Sequence, residues 1–341
     1  MGYIGPILIQ HLRSTLPNVT LIGFDIGYFG RNVTNSEMLP ECKVDLQYFG
    51  DIRAFPKEIL HDVEAIIHLA GISNDPIGNK FEEVTLDINY RASIDLAKKA
   101  MDAGVRSFVF ASSCSMYGAA DDSARTEQSQ LNPLTAYARS KALTEQDLQP
   151  LASDTFAITC LRFSTACGWS DRLRLDLVLN DFVAGAVASK KINILSDGTP
   201  WRPLINVKDM ARAMEWAISR DVSGIGNFLA VNVGSEAWNY QVRDLAEAVA
   251  DAIPGTVVTL NKNAQPDKRS YRVNFDLYKS LAPKHQPQID LTESILGLKK
   301  GLESQQFNDQ EFRNSKLMRL NVLNDLQEKG LLNNRLEWIV N

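Results

Sequence analysis

Residues 108–141 contain the side chains best suited to chemistry. A hydrophobic run at 108–111 ends in a serine-rich segment, and Tyr137 and Lys141 follow after a polar loop. Four residues apart on a helix, the phenol and the ammonium lie on the same face. The ammonium favours the phenolate, so we expect it to lower a phenol pKa that is ordinarily about 10. The pair predicts acid/base chemistry on a substrate oxygen that a serine hydroxyl holds.

The composition is that of an ordinary soluble globular protein. The chain has 341 residues, of which 45% are hydrophobic and 23% are charged, and this length suits two domains or one domain with a large lobe. A net charge of −5 offers no attraction to nucleic acid or to an anionic membrane. No apolar run approaches membrane-spanning length, and Met1 leads into a glycine turn without a signal peptide.

The cysteines and histidines argue against metal and hydrolase chemistry. The four cysteines form no CxxC pair and have no histidine partners at metal-ligand spacing. The four histidines are scattered, which disfavours a Ser-His-Asp hydrolase. We therefore expect a reduced, cytoplasmic protein without a structural metal.

Hydrophobic runs alternate with helical patterns through the first half of the chain. The sequence predicts strands at 19–24, 65–71, 105–112 and 156–163, with helices at 84–103 and 137–148. Continuous apolar runs of this kind are typical of parallel strands that are buried on both faces. The alternation predicts an α/β fold, a Rossmann-like doubly wound parallel sheet whose helices cover both faces.

An acidic residue, Asp25, ends the predicted strand 19–24. Dinucleotide folds hold the adenosine ribose hydroxyls at this position, and Gly2 and Gly5 lie close by in the sequence. The alternative interpretation is an aspartate that only caps a turn. The carboxylate would repel a 2′-phosphate, and no arginine follows directly. The sequence therefore favours NAD over NADP.

The second half of the chain is less regular. The sequence predicts helices at 175–189, 207–219 and 240–252 and short strands at 192–195, 228–233 and 257–260. We expect residues 1–167 to form the dinucleotide-binding domain, which the chain re-enters at 204–235. Residues 168–203 and 236–341 would then form a smaller α/β substrate lobe, built on the core by several passes of the chain.

In this order and spacing, the motifs resemble the extended short-chain dehydrogenase/reductases, specifically the NAD-dependent nucleotide-sugar epimerase/dehydratase family. The resemblance covers nearly the whole chain. The family's glycine motif is matched from its second glycine onward, and its His-Leu-Ala-Ala run is matched at 68–71. The resemblance implies that the cofactor is NAD and that its ligands are Gly2, Ile4, Gly5, Asp25, Asp51, Ile52, Leu69, Ala70, Gly71, Tyr137 and Lys141.

The same resemblance implies a catalytic set, Ser113, Tyr137 and Lys141. The family's tyrosine takes the proton from a sugar hydroxyl while C4 gives its hydride to NAD, the lysine contacts the nicotinamide ribose, and the serine shares the bond to the oxygen. The implied substrate is a nucleotide-diphosphate sugar. Its implied contacts are Ser113, Thr165, Asn180, Arg202 and Arg269, with Arg272 as a weaker substitute for Arg269.

Two positions narrow the reaction. Dehydratases of the family carry an Asp-Glu pair directly after the catalytic serine or threonine, and Cys114 and Ser115 stand there instead. Removal of water from C5–C6 is therefore disfavoured. The leading prediction is an NAD-dependent nucleotide-sugar 4-epimerase that acts through a transient 4-keto-sugar. The alternatives are an NAD(P)-dependent nucleotide-4-keto-sugar reductase and a non-catalytic nucleotide-binding protein on the same scaffold.

Two expectations concern assembly and the start of the chain. Related proteins pair the helices that match 84–103 and 137–148, so we expect a homodimer. No residues precede Gly2 to form the first strand of the sheet, so strands 19–24 and 65–70 are expected to face an empty slot. We expect Met1 to be an internal methionine of a chain that begins about ten residues earlier. The alternative is a short form whose gap is closed by rearrangement or by another chain.

Overall fold

The first half of the chain alternates strands and helices, as its hydrophobic pattern predicts. The computed structural model describes residues 1–34, 37–119, 123–261 and 269–339. The elements of this half are α1 (Gly5–Thr15), β1 (Ile22–Asp25), β2 (Leu46–Phe49), β3 (Ala65–His68), α2 (Asp75–Lys80), α3 (Glu82–Leu86), α4 (Ala92–Asp102), β4 (Ser107–Ser113), α5 (Ala136–Leu148) and β5 (Ala157–Phe163).

The second half adds shorter strands and longer helices. Its elements are β6 (Thr165–Cys167), α6 (Val178–Ser189), β7 (Lys191–Ile194), β8 (Trp201–Asn206), α7 (Val207–Ile218), β9 (Phe228–Val233), β10 (Asn239–Gln241), α8 (Val242–Ala252), β11 (Val257–Leu260), α9 (Asp276–Leu281), α10 (Leu291–Ser304) and α11 (Arg319–Glu328). No helix among the described residues is long and apolar enough to cross a membrane.

The main sheet is parallel and has the strand order β3-β4-β5-β9. Successive residues of a strand point to opposite faces. Accordingly, Val109 of β4 joins a core cluster with α7 and α1, whereas Phe108 and Phe110 join a second cluster with α4. Burial on both faces explains the uninterrupted apolar run of β4. The doubly wound α/β fold predicted from the sequence is confirmed.

A second parallel pair, β1 and β2, lies beside the main sheet without joining it. Within the described ranges, β1 pairs only with β2, and β3 pairs only with β4. The space between β1 and β3 belongs to a cleft whose walls include Phe24 and Ile66.

The second lobe shares its core with the main sheet. Two small sheets, β10-β8-β6 and β11-β7, form its framework. Leu8 of α1, Val231 of β9, Leu245 of α8 and Leu298 of α10 belong to one continuous apolar cluster. The lobe is therefore packed onto the sheet as part of the same hydrophobic core.

The C-terminal segment packs elsewhere. Sequence analysis assigned it to the substrate lobe, but its apolar residues join the cluster of α4, on the other face of the main sheet. These residues are Val322, Leu323, Leu326, Leu332 and Leu336. Hydrogen bonds from Tyr28 to the carbonyl of Leu336 and from Trp338 to the carbonyl of Ile26 tie the segment to the loop after β1. The last described residues thus cover the edge where β1 ends.

Candidate active site

A single large cleft, of about 1990 Å³, gathers almost all the residues that the sequence analysis selected. It is lined by the start of α1, by the carboxyl ends of β1, β3 and β4, and by the start of α5. The selected residues on its wall are Gly2, Ile4, Gly5, Asp25, Asp51, Ile52, Leu69, Ala70, Gly71, Ser113, Tyr137, Lys141, Thr165, Arg202 and Arg269. Two selected residues, Asn180 and the weaker candidate Arg272, are outside this lining.

Ser113 and Tyr137 meet where β4 ends and α5 begins. Thr135 caps α5 by accepting a hydrogen bond from the amide of Ala138 at 3.2 Å, which places Tyr137 in the first helical turn. The Ser113 side chain lies close enough to the Tyr137 hydroxyl to lower the phenol pKa. The Ser113 hydroxyl also accepts from the amide of Ser115 at 3.2 Å. A substrate hydroxyl at this point would face both a phenol and a serine hydroxyl.

Lys141 lies one helical turn after Tyr137, and its side chain lines the cleft. Its ammonium donates to the carbonyl of Ala111 at 2.6 Å and lies 4.5 Å from the centre of the Phe110 ring. It is 5.7 Å from the centre of the Tyr137 ring. Burial lowers the pKa of Lys141 to about 8, against smaller opposing effects of Cys160 and Glu145. The buried ammonium of Lys141 therefore carries a desolvation cost, which a polar ligand in the cleft would reduce.

The pKa of Tyr137 corrects one expectation. Burial raises it above the ordinary value, while the Ser113 side chain and the charge of Arg174 lower it and the charge of Asp75 raises it. We expected Lys141 to lower it. The prediction was wrong for the protein alone. The desolvation of the phenolate raises the Tyr137 pKa by more than the nearby cations lower it. A cationic ligand in the cleft would act in the expected direction.

The loop after β3 is fixed by an interruption in the predicted helix 84–103. Between α3 and α4, Asp87–Arg91 forms a π-helical turn. This turn places the buried side chain of Asn89 so that its amide accepts from the Ile72 amide at 2.7 Å and donates to the Ile72 carbonyl at 2.8 Å. The same side chain reaches Ser140 of α5 at 3.2 Å. Asn89 of the π turn thus links the loop after β3 to α5 by hydrogen bonds.

Sequence analysis missed Arg174, a buried residue on the wall of the cleft. It forms an ion pair with Asp176 at 2.7 Å and donates to the Ser73 hydroxyl at 2.7 Å. Asp176 in turn accepts from Asn74. The signal in the sequence was the Arg-x-Asp spacing in the otherwise apolar segment 173–179. Such a spacing does not by itself separate a buried pair from a surface pair.

The two arginines selected for phosphate binding lie together. Arg202 donates to the carbonyl of Arg269, and Arg269 forms an ion pair with Asp75 at the start of α2. The Arg269 side chain is 44% exposed, so solvent screens this pair. Asp75 was not selected from the sequence. Its carboxylate holds Arg269 in the cleft and lies close enough to Tyr137 to affect the phenol pKa.

Asn180 supports the site without lining it. Its side-chain oxygen accepts from the Gly168 amide at 3.1 Å, and its nitrogen donates to the Tyr3 hydroxyl and to the Arg174 carbonyl, both at 3.0 Å. The residue is fully buried. These bonds occupy its polar atoms, so the structure gives Asn180 a role in holding the loop that carries Arg174.

The residues expected to hold NAD fit a dinucleotide. The first turn of α1 has no side-chain cap, so its amides remain available to an anion at a helix N-terminus. A Cβ added to Gly2 would meet nothing within 4 Å, so the backbone is open to close approach. Asp25 lies at the end of β1 and accepts from the Gly27 amide at 2.6 Å. NAD bound here would supply a hydride acceptor beside Tyr137.

Asp51 and Ile52 are placed differently from each other. The Asp51 carboxylate accepts from the amide and from the guanidinium of Arg53, at 2.9 and 3.0 Å, whereas Ile52 is buried in the second core cluster. No group of three or more histidine, cysteine, aspartate or glutamate side chains within the described ranges is arranged to hold a metal ion.

Curated relatives match part of this chain. The "Uncharacterized UDP-glucose epimerase YtcB" of Bacillus subtilis is 28% identical over 222 residues, which are 62% of this chain and 68% of the relative. The UDP-glucose 4-epimerase of Rhizobium meliloti is 28% identical over 220 residues, which are 59% of this chain and 66% of the relative. The matched part thus spans about two thirds of the length of these relatives.

Solved structures share the fold. MoeE5 in complex with UDP-glucose and NAD has a TM-score of 0.74 at 23% identity, over 89% of this chain and 96% of that chain. The NAD-dependent NDP-hexosamine 5,6-dehydratase TunA has a TM-score of 0.76 at 22% identity, over 91% and 96%. The NAD dependent epimerase/dehydratase family matches residues 1–234, more than half of the chain. The protein belongs to this family, and its cofactor is NAD.

Proposed function

We propose that the protein is an NAD-dependent nucleotide-sugar 4-epimerase. The observation that carries this proposal is the position of Ser113 beside Tyr137, at a strand end whose next residues include no carboxylate. Cys114 is fully buried, and its thiol donates to the Arg162 carbonyl at 3.0 Å, away from the cleft. Ser115 lines the cleft but has only a hydroxyl. The positions that would remove water from C5–C6 therefore lack an acid and a base.

The chemistry follows from the positions of these side chains. NAD, when bound, accepts a hydride from the sugar and returns it. Tyr137 takes the proton from the C4 hydroxyl and later gives it back, and Ser113 holds the same oxygen. Lys141 has its ammonium close to the Tyr137 ring. With a pKa of about 8, it keeps a positive charge near neutral pH. Arg202 and Arg269 provide guanidinium groups for the diphosphate of the substrate.

The names of the relatives support a UDP-sugar as the substrate. Those names include UDP-glucose 4-epimerase, and MoeE5 was crystallised with UDP-glucose. The proposal is tested by incubating the protein and NAD with UDP-glucose, UDP-galactose and their N-acetyl counterparts, while products and the absorbance of reduced nicotinamide are followed together. A 4-epimer that forms without net reduction of NAD supports the proposal.

The same experiment distinguishes three other functions. Stoichiometric oxidation or reduction of the nicotinamide would indicate a nucleotide-4-keto-sugar reductase. A 4-keto-6-deoxy or 5,6-unsaturated product would indicate a dehydratase and would contradict the argument from Cys114 and Ser115. A folded protein that binds NAD and UDP-sugar without forming product would indicate a nucleotide-binding protein.

We further propose a cytoplasmic homodimer. The four cysteines are unpaired thiols, which suits a reducing compartment. Leu143 on α5 and Met101 on α4 are exposed apolar residues on the two helices expected at the interface. Light scattering at micromolar concentration that shows only monomer would exclude the dimer, and cell fractionation that recovers the protein outside the cytosol would exclude the location.

A further inference from the structure

Arg319, the first residue of α11, is a buried cation on the wall of the cleft. Its side chain is only 3% exposed. One nitrogen, Nη2, donates to the Arg172 carbonyl at 2.8 Å, and the guanidinium lies 4.2 Å from the centre of the Phe29 ring. The other terminal nitrogen, Nη1, is buried and has no hydrogen-bond partner. Within the described ranges, no carboxylate forms an ion pair with Arg319.

The neighbouring cations already have their carboxylates. Arg172 forms an ion pair with Glu41 at 2.8 Å, and Arg174 forms one with Asp176 at 2.7 Å. Two of the three guanidinium groups are therefore paired with a carboxylate, and the third, that of Arg319, forms no ion pair within the described ranges. A buried charge without a partner costs free energy, and proteins retain such a charge mainly where another charge will meet it.

The surroundings of Arg319 strengthen this reasoning. Burial and the charge of Arg174 together lower its pKa to about 9. Asp176 opposes this shift but does not cancel it. Arg172 and Arg174 thus add like charges beside Arg319, and an anion that enters the cleft here would be stabilised by several groups at once.

The location points to one part of the cofactor. Phe29 lies in the loop directly after Asp25, the residue at the end of β1. Tyr3, between the two glycines at the start of α1, donates to the Gly168 carbonyl at 2.5 Å, and its own carbonyl accepts from the Ser170 hydroxyl at 2.6 Å. The loop that leads to Arg172 is thus tied to the glycine turn, and Arg319 is tied to that loop.

We propose that Arg319 binds the pyrophosphate of NAD, so that the C-terminal helix α11 forms part of the cofactor site. The α1 amides would bind one side of the pyrophosphate, and the Nη1 group of Arg319 would bind it from the other side. The diphosphate of a nucleotide sugar has the same chemistry. The cofactor is favoured because Arg319 contacts Phe29 and lies close enough to Tyr3 for the two groups to affect each other's pKa, whereas Arg202 and Arg269 lie with Asp75.

Arg319→Gln tests this proposal through binding alone, independently of the reaction that the enzyme catalyses. Isothermal titration with NAD should show affinity reduced about 10-fold or more, since a charge-assisted hydrogen bond is lost. Titration with UDP should change by less than about twofold. Lys329→Gln, at the exposed end of α11, is the matched control and should leave both affinities unchanged.

The outcomes separate cofactor binding from a structural role. Thermal unfolding of each variant, with and without NAD, reports both stability and the protection that NAD gives. A folded Arg319→Gln protein with the NAD affinity of the parent would overturn the proposal, as would equal losses for NAD and UDP. If Arg319→Gln does not fold, Arg319→Lys keeps the charge but lacks the planar fork, so NAD should bind about 3–10-fold more weakly. Unchanged NAD affinity in that variant would also overturn the proposal.

Discussion

Arg269 and Asp75 form an ion pair within the cleft, although 194 residues separate them in the sequence. One partner is expected to bind the substrate diphosphate, and the other raises the pKa of Tyr137. The pair therefore links a substrate contact to the acid/base group. The Asp75 carboxylate pairs with the same Arg269 guanidinium that would bind the diphosphate, so the carboxylate and the ligand compete for it.

Asp75→Asn should strengthen UDP binding about twofold to fivefold, because an exposed ion pair that competes with the ligand contributes about 0.2–1 kcal/mol. The loss of the negative charge should also lower the pKa of Tyr137, so the alkaline rise of kcat with pH should move to lower pH. Titration with UDP and a pH profile of kcat measure the two effects. Glu83→Gln, in an exposed pair with Arg91 outside the cleft, is the control. Weaker UDP binding would contradict this interpretation.

Tyr137→Phe should reduce turnover by about 10²–10⁴-fold, the usual contribution of an acid/base group, while NAD affinity stays nearly unchanged. The substitution removes the hydroxyl that lies beside Ser113 and keeps the ring. Tyr90→Phe removes a hydroxyl that bonds Asp147 in a part-buried position and serves as the control. Near-parental turnover of the Tyr137→Phe protein on its substrate would remove Tyr137 from the catalytic set.

Lys141→Met should raise the free energy of unfolding at about pH 7 by about 1–3 kcal/mol while abolishing turnover. Burial lowers the pKa of Lys141 to about 8, against about 10.4 in an unfolded chain. Between these pH values the unfolded chain binds more protons, so this group makes stability rise with pH from about 8 to about 10. Below about pH 8 the buried charge is present in full and its cost is greatest.

Denaturant unfolding at about pH 7 and about pH 10 measures this effect as the difference between parent and variant. Contributions of other groups then cancel. Lys98→Met removes an exposed lysine of α4 and should leave the pH slope unchanged. If the free energy of unfolding depends on pH equally in the parent and in the Lys141→Met protein, the charge of Lys141 carries no desolvation cost.

Arg162→Met should lower the free energy of unfolding by about 3–5 kcal/mol, because it leaves a buried carboxylate unpaired. Arg162 on β5 bonds Glu145 through two nitrogens, at 3.0 and 2.7 Å, and both side chains are buried. Glu145 lies one helical turn after Lys141, so the pair fixes α5 against the sheet. In a double-mutant cycle, Arg162→Met with Glu145→Leu should cost less than the sum of the single changes. Additive losses would argue against a coupled pair.

Periodicity and spacing were sufficient for the elements of the main sheet. Strand β9 matches the predicted 228–233, and α5 begins one residue before the predicted helix 137–148. The reason is physical: burial on both faces of a parallel sheet demands continuous apolar runs, and a spacing of four fixes a shared helix face. The helix predicted at 84–103 contains a π turn instead, because Asn89 must reach Ile72, and no local pattern marks this contact.

The sequence by itself determined the strands and helices of the sheet, the family resemblance and the shared helix face of Tyr137 and Lys141, since periodicity and motif spacing are local. Only the tertiary structure decided which polar groups surround them. Asn180 turned towards Gly168 and Tyr3, Asp75 met Arg269, and Arg319 came to lie against Arg172, 147 residues earlier in the chain. Contacts of such separation depend on how the whole chain closes, and the pKa of Tyr137 depends on the burial that this closure produces.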